Sequence, residues 1–218
     1  MTTQAEKTSG LDWSELYAQR RRVQGRYRRV WTLPVKKRIW DVAREYLKEG
    51  GSVLDVGAHE RKLERFVKRD RPKASYHSMD IDRRLPHDYY SLDDVDRQFD
   101  LIVMCEVIEH LGLVEGGELV QKLARLTKPG GHVLLTTPNV FCPGQYLRDA
   151  THKTPYCYDE LGGLMILAGL EPPELFRIYN APALQRALRL GVFVWLHRYL
   201  GVDFAGTIVA VARQGGAS

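Results

Sequence analysis

The sequence predicts an α/β fold, a doubly wound and mostly parallel sheet behind an N-terminal helical cap. Short apolar runs that end in an acid or a glycine alternate with amphipathic stretches, which is how buried parallel strands and their crossover helices read. The 218 residues suffice for one such domain and leave little room for a second. A hydrophobic fraction of 44% with 27% charged residues sits near the globular average, which excludes disordered and fibrous classes.

Taken in order, residues 1–10 read as a frayed polar tail and 11–50 as a basic helical cap. In the cap Trp31, Val35, Ile39, Val42 and Tyr46 recur at three- and four-residue spacings around a break at Pro34. Gly50-Gly51 ends it, and residues 51–218 form the main domain. Ser52-Val53-Leu54-Asp55-Val56-Gly57 is the first buried strand. Leu63, Phe66 and Val67 give an amphipathic helix over 60–69, and Pro72 marks its exit. Strands follow at 74–79 and 99–105. A helix carrying Leu119, Val120, Leu123 and Leu126 stops at Lys128-Pro129-Gly130-Gly131. A strand at 132–137, a helix at 159–170 and strands at 174–179 and 204–213 complete the set. Within 181–203, between the last two strands, lies an apolar helix over 183–200.

The net charge of +5 is concentrated in one segment, where Arg20, Arg21, Arg22, Arg26, Arg28, Arg29, Lys36, Lys37 and Arg38 crowd together. Such a run is more often a solvated helix face than a site for phosphate or anionic lipid. Three cysteines without C-x-x-C spacing argue against a disulfide framework and a thiolate zinc site, and fit a reducing compartment. Residues 1–10 lack the apolar core of a secretory signal, and no run approaches the length of a membrane span. The expected location is cytoplasmic, and nothing in the sequence sets an oligomeric state.

In an open parallel sheet the ligand lies beyond the carboxyl ends of the strands. The first end is Asp55-Val56-Gly57-Ala58-His59, where a glycine allows a tight turn and close backbone approach. The second is Asp80, about twenty residues further on, the distance at which an acid accepts hydrogen bonds from ribose hydroxyls. The missing G-x-G-x-x-G pattern weighs against a nicotinamide dehydrogenase, whose pyrophosphate needs that clearance.

Val53 to Gly57, Ser78 to Ile81, the stretch FDLIVMCEVIEHL from Phe99 and KPGGHVLLTTPN from Lys128 together resemble class I methyltransferases, especially the type 11 and type 23 groups. The likeness runs in order over residues 50–170. It implies a Rossmann-like, seven-stranded sheet with an antiparallel last strand, and S-adenosylmethionine as cofactor. It also implies roles: Gly57 with Asp55, Val56, Ala58 and His59 against the methionine part, Asp80 on the ribose with Ile81 as a further cofactor contact, and Asp88 with Tyr89 at the adenine, where Asp93, Asp94 or Asp96 could take the place of Asp88. Cys105 and Glu106 would close the pocket. The sequence departs from the family's D-x-G-x-G-x-G at His59 and Arg61, which leaves a cofactor-binding, non-catalytic module as an alternative.

Methyl transfer from a sulfonium depends mainly on in-line orientation, and a hydroxyl acceptor is helped by a base. His110 and His152 are the candidate bases, with Glu106 as orienting or acidic partner. Glu106, Glu109, His110 and His152 also resemble the metal-binding set of methyltransferases that act on the 2'-hydroxyl at RNA 3' ends. The same stretch is widespread in relatives that use no metal, so no metal ligand is assigned and RNA is not the favoured acceptor. The expected acceptor is a small or lipid-linked molecule. In 183–200, Leu184, Leu188, Val192, Trp195, Leu196 and Tyr199 share a helical face beside Arg186, Arg189 and Arg198. That face reads as a cover for the core or a partner subunit, with a pocket lid or peripheral membrane contact as the functional alternative.

Overall fold

A strand reads as an unbroken apolar run when helices cover both faces of its sheet, and this chain supplies helices for both. The computed structural model describes residues 12–216, so the tail expected at 1–10 lies outside the described residues. The chain runs α1 (Trp13–Arg26), β1 (Val35–Lys36), α2 (Ile39–Tyr46), β2 (Ser52–Val56), α3 (Lys62–Asp70) and β3 (Ser75–Met79). It continues through β4 (Phe99–Cys105), α4 (Leu113–Leu126), β5 (Thr127–Pro138), α5 (Pro143–Tyr146) and α6 (Tyr158–Leu167). It ends with β6 (Glu174–Ile178), α7 (Ala183–Ala187), α8 (Val194–Leu200) and β7 (Thr207–Arg213).

The seven strands form one sheet in the order β1-β6-β7-β5-β4-β2-β3. All pairings are parallel except those of β7, which runs antiparallel to both β5 and β6. This is the Rossmann-like sheet with an antiparallel last strand that the sequence predicts. Side chains divide by strand alternation. In β4, Ile102 and Met104 join α1, α4 and α6 on one face, while Leu101 and Val103 meet α2 and α3 on the other.

The seventh strand lies where the sequence reading placed helix. Pro34 cannot continue a helix and favours extended backbone before it, and Val35–Lys36 then pairs with β6. Arg177 N–H donates to Pro34 O at 2.8 Å and Tyr179 N–H to Lys36 O at 3.0 Å. Lys128 to Gly131, expected as a turn, lie inside β5, where the ladder to β4 shifts register. The helix expected over 183–200 is broken: a π-helical turn over Leu188–Val192 and a bend at Phe193 separate α7 from α8.

Of the segment expected as a cap over 11–50, β1 and α2 join the sheet and its core, and α1 packs against α6. A Cβ at Gly162 would stand 3.0 Å from Val23, and one at Gly163 3.2 Å from Leu16, so the glycine pair permits the close approach. Arg20 pairs with Asp159 at 3.1 Å and Glu160 at 2.9 Å, so the basic run is partly spent on packing.

A buried polar knot fixes the edge of the sheet near the carboxyl end of β6. Arg177 Nη1 lies 2.8 Å from Asp203 Oδ1, both buried, and its remaining donors reach Leu33 O and Trp31 O. Asn139, just past β5, donates to Asp203 and to Ala205 O. Among the described residues, no helix is long and apolar enough to cross a membrane.

Candidate functional site

The carboxyl ends of β2 and β3 meet in one turn. Gly57 takes φ +73°, a left-handed backbone that suits glycine, and its N–H donates to Met79 O at 2.9 Å. Ala58 N–H donates to the same carbonyl at 3.2 Å. A Cβ on Gly57 would collide with the Val107 side chain. Gly57→Ala combines a left-handed alanine with overpacking against a stiff β-branched neighbour. A loss of about 2–4 kcal/mol in urea unfolding is expected.

Among the described residues, three that are not glycine have positive φ: His59 at 41°, Arg61 at 56° and Glu106 at 53°. Two occupy the positions where the family pattern has glycine, so the turn keeps a glycine-like path with His59 and Arg61 in it. Backbone of this kind costs energy and clusters at ligand sites.

Asp80 belongs to the same turn. Its Oδ2 accepts the His59 N–H at 2.8 Å and its Oδ1 accepts the Asp82 N–H at 2.9 Å. Asp80 is thus bound to the turn that follows Gly57. Asp88 Oδ2 accepts from Ser78 N–H and Oγ at 2.8 and 2.9 Å, which holds Asp88 below the usual carboxylate range against the opposing effect of its burial. Tyr89 bridges Met79 in parallel, and Ile81 projects to solvent at 81% exposure. Arg61 reaches over this edge, with Nη1 3.4 Å from Pro86 O and Nη2 3.9 Å from Asp88.

Asp55 is buried below the turn, where Tyr76 donates to its Oδ2 at 2.7 Å. Burial pushes its carboxyl up to about 6, opposed by the Tyr76 hydrogen bond and assisted by Asp80. Beside it opens a cavity of about 330 Å³ lined by Gly57, Ala58, His59, Cys105, Trp40 and Phe66, among others. Burial drives the Cys105 thiol far up, so it is a neutral wall rather than a nucleophile.

At the next residue the wall turns toward a second cavity, of about 190 Å³, lined by Glu106, Glu109, His110, Pro138, Gln145, Arg148, Asp149 and His152. Glu106 accepts a 2.8 Å hydrogen bond from Thr136 Oγ1, and burial raises its pKa. The loop bearing His152 is tied to the 109–111 turn: Lys153 and Thr154 N–H both donate to Glu109 O, at 2.7 and 3.1 Å. The rings of His110 and His152 stand 4.9 Å apart.

The hydrogen bonds fix both imidazole tautomers. His152 Nδ1 lies 2.8 Å from Tyr146 O, a carbonyl that can only accept, so Nδ1 carries the proton. Thr151 gives its hydroxyl proton to Asp149 Oδ1 and therefore accepts from His110 Nδ1 at 2.9 Å. Nε2 is the remaining nitrogen of each ring, and that of His152 lies 3.9 Å from Asp149 Oδ2. Glu109 is fully buried beside them, with neither carboxylate oxygen hydrogen-bonded.

Burial, with Glu106 nearby, lifts Glu109 from 4.5 to about 8. A raised acid favours the folded state while protonated. That stability is intact below 4.5 and is lost as pH climbs toward 8. Urea unfolding across this window is expected to fall more steeply with pH for the native chain than for Glu109→Gln, by up to about 1.4 kcal/mol per pH unit.

The structure thus places Asp55, Gly57, Ala58, His59 and Cys105 on the first cavity and Glu106, His110 and His152 on the second. Val56, Asp80, Ile81, Asp88 and Tyr89 line neither: Asp80 is tied to the Gly57 turn through the His59 N–H, and Asp88 and Tyr89 lie along the β3 edge. Sequence reasoning missed Trp40 and Phe66, which line the first cavity, and Gln145, Arg148 and Asp149, which line the second. The hydroxyl of Thr136, which positions Glu106, was also missed; its place at the end of β5, opposite Cys105, was the available signal.

The sequence profile of a methyltransferase domain family matches residues 22–190, and the chain belongs to that family. No curated protein matches the sequence. Among solved structures it is similar to a SAM-dependent methyltransferase from Archaeoglobus fulgidus, at 16% identity and TM-score 0.65 over 93% of this chain and 100% of that one. A Haloferax volcanii protein solved with the Trm112 methyltransferase activator gives 17% identity and TM-score 0.60, covering 95% and 100%. An S-adenosylmethionine-dependent methyltransferase from Mesorhizobium loti gives 15% and 0.57, covering 80% and 96%. At these identities the likeness establishes the shared fold.

Proposed function

We propose that this methyltransferase takes the methyl group of S-adenosylmethionine and delivers it to an oxygen of a small or lipid-linked acceptor seated beside His110 and His152. The observation that carries the reading is the junction at Cys105 and Glu106. One wall faces the cavity at the Gly57 turn, and the next residue faces the cavity of the two imidazoles.

In this assignment Gly57, Ala58 and His59, backed by Asp55 and Val56, take the methionine part. Asp80 holds the ribose, Ile81, Asp88 and Tyr89 flank the adenine, and Cys105 and Glu106 close the pocket. A sulfonium has no phosphate to cradle, so the turn needs no G-x-G-x-x-G clearance. The S-adenosylmethionine dependence stated for the Archaeoglobus and Mesorhizobium proteins supports the donor.

The acceptor oxygen attacks the methyl carbon in line. The carbon–oxygen bond forms as the carbon–sulfur bond breaks, and the electron pair stays on sulfur as S-adenosylhomocysteine leaves. The acceptor proton passes to Nε2 of His152, with His110 beside it and Glu106 orienting the acceptor.

Calorimetric titration with S-adenosylhomocysteine tests the donor half. Asp80→Ala is expected to weaken binding by about 1.5–3 kcal/mol, since it removes hydrogen bonds to a charged group. A native chain that binds neither donor nor product sinks the assignment. Labelled-methyl transfer into a cell extract then sorts the acceptor: label in the organic phase marks a lipid-linked one, and label in the aqueous phase a small molecule. Tight binding with no transfer to any fraction identifies a non-catalytic binding module instead.

A second reading of the same cavity is favoured by Glu109, His110 and His152, whose ligand atoms lie within 4.8 Å of one another. The orphaned carboxylate, the two Nε2 atoms, with Asp149 3.9 Å from that of His152, and the Nδ1 atoms tied to a carbonyl and a hydroxyl fit a divalent cation. Glu106, tied to Thr136, lies outside this set. A bound ion would polarise the acceptor hydroxyl. Transfer that persists in excess EDTA removes this reading and leaves His152 as the base.

A further inference from the structure

The surface that the chemistry leaves unused lies between β6 and β7. Residues 183–200 are anchored on one side, where Leu190 packs against the cluster of Tyr179, Phe204 and Ala205. The other side is open. Leu184 is 74% exposed, Trp195 67% and Tyr199 84%, with Leu188, Val192 and Leu200 alongside. Exposed apolar side chains gathered on one segment mark an interaction surface.

Charge decides what covers it. Residues 175–202 contain no Asp or Glu, while Arg186, Arg189 and Arg198 punctuate the helices. None of the three enters an ion pair among the described residues, although Arg186 Nη2 donates to Val35 O at 3.4 Å and Arg189 stands over the Tyr179 ring, while Arg198 is exposed. A second copy docked on this face would set arginine against arginine, an arrangement that costs energy. An anionic surface complements it. Trp195 and Tyr199 have the apolar body and polar tip that suit a lipid–water boundary, and arginine stems can lie in apolar surroundings with their heads at phosphate level.

Position links this face to the acceptor cavity. In the sheet Ile178 at the end of β6 pairs with Thr207 at the start of β7, and Thr207 pairs with Pro138. Pro138 lines the cavity of His110 and His152. Residues 183–200 therefore leave and rejoin the sheet at the same rim as the cavity of His110 and His152.

We propose that residues 183–200 seat this protein on an anionic lipid bilayer, with the apolar face at the headgroup boundary and the arginines at lipid phosphates. The acceptor is then drawn from the membrane; that last clause rests on the function proposed above, whereas the docking does not.

The test is co-sedimentation with phosphatidylcholine vesicles, with and without phosphatidylglycerol, and with no methyl donor present. Binding is expected only to the anionic vesicles. Arg198→Gln should weaken it about fivefold, and Arg186→Gln and Arg189→Gln by less, since those side chains already contact the protein. Trp195→Asp should weaken it by on the order of tenfold or more. Brominated lipid in the anionic vesicles should quench the native fluorescence, and the conservative Trp195→Phe, which keeps the apolar bulk, should abolish that quenching even if Trp195→Asp fails to fold. Absent binding, binding indifferent to phosphatidylglycerol, or quenching retained in Trp195→Phe overturns the proposal. So does a dimer in sedimentation equilibrium that Trp195→Asp dissociates, which would assign the face to a second copy. S-adenosylhomocysteine titration of the same preparations reports separately on the donor site, so failure of docking and failure of the methyl-transfer reading are told apart.

Discussion

His152→Gln is expected to lower methyl transfer by about 10²- to 10⁴-fold, the range a positioned general base supplies, with S-adenosylhomocysteine affinity unchanged. The expectation rests on geometry rather than on the presence of a histidine. The Tyr146 carbonyl holds Nδ1–H and so presents Nε2 as the only proton acceptor of the neutral ring. The ring lines the second cavity, not the one beside Gly57, which is why donor binding should survive. Glutamine keeps a polar side chain of similar reach but has no basic nitrogen. Single-turnover transfer with labelled donor is the measurement, and a variant that transfers at the native rate removes His152 from the chemistry. His110→Asn should cost less, because that ring is oriented through the more exposed Thr151 and Asp149.

Asp203→Ala should destabilise the fold by about 3–5 kcal/mol in urea unfolding, because it strands the buried Arg177 guanidinium without its counter-charge. The backbone N–H of Phe204 and the Asn139 amide lose their acceptor as well. The double variant Arg177→Met with Asp203→Leu removes both charges and should recover a large part of that loss. A double variant no more stable than Asp203→Ala would show that the backbone contacts, not the ion pair, carry the effect.

What the sequence made legible follows from which interactions are local. Strands β2, β4 and β7 were readable because burial on both faces leaves apolar runs, as in Ser52–Val56, whereas β3, exposed at its start, was readable mainly from its place before Asp80. Strand β1 was not, since two residues beside a proline carry no periodicity and owe their conformation to β6, some 140 residues further on. The Gly57 turn and Asp80 were legible as a pair because their separation is set by one βαβ unit. The left-handed backbone of His59 and Arg61 was not, because no local propensity asks histidine or arginine to adopt it. His110 and His152 could be nominated from residue type. Their tautomers depend on Tyr146 O and Thr151, contacts that only the folded loop brings about. The break in 183–200 was likewise invisible to a periodicity that runs smoothly through it.

The antiparallel β7 has a consequence for how such a protein can change its chemistry. Because it returns beside β5, the stretch from 181 to 203 forms a closed excursion that leaves and rejoins the sheet at adjacent points, opposite Pro138. In the function proposed above, the donor would be held by residues 55 to 106 and the acceptor by later stretches. Grafting the excursion from a relative should therefore alter which molecules are methylated and spare the titration with S-adenosylhomocysteine, so that selectivity can drift by exchange of a single loop.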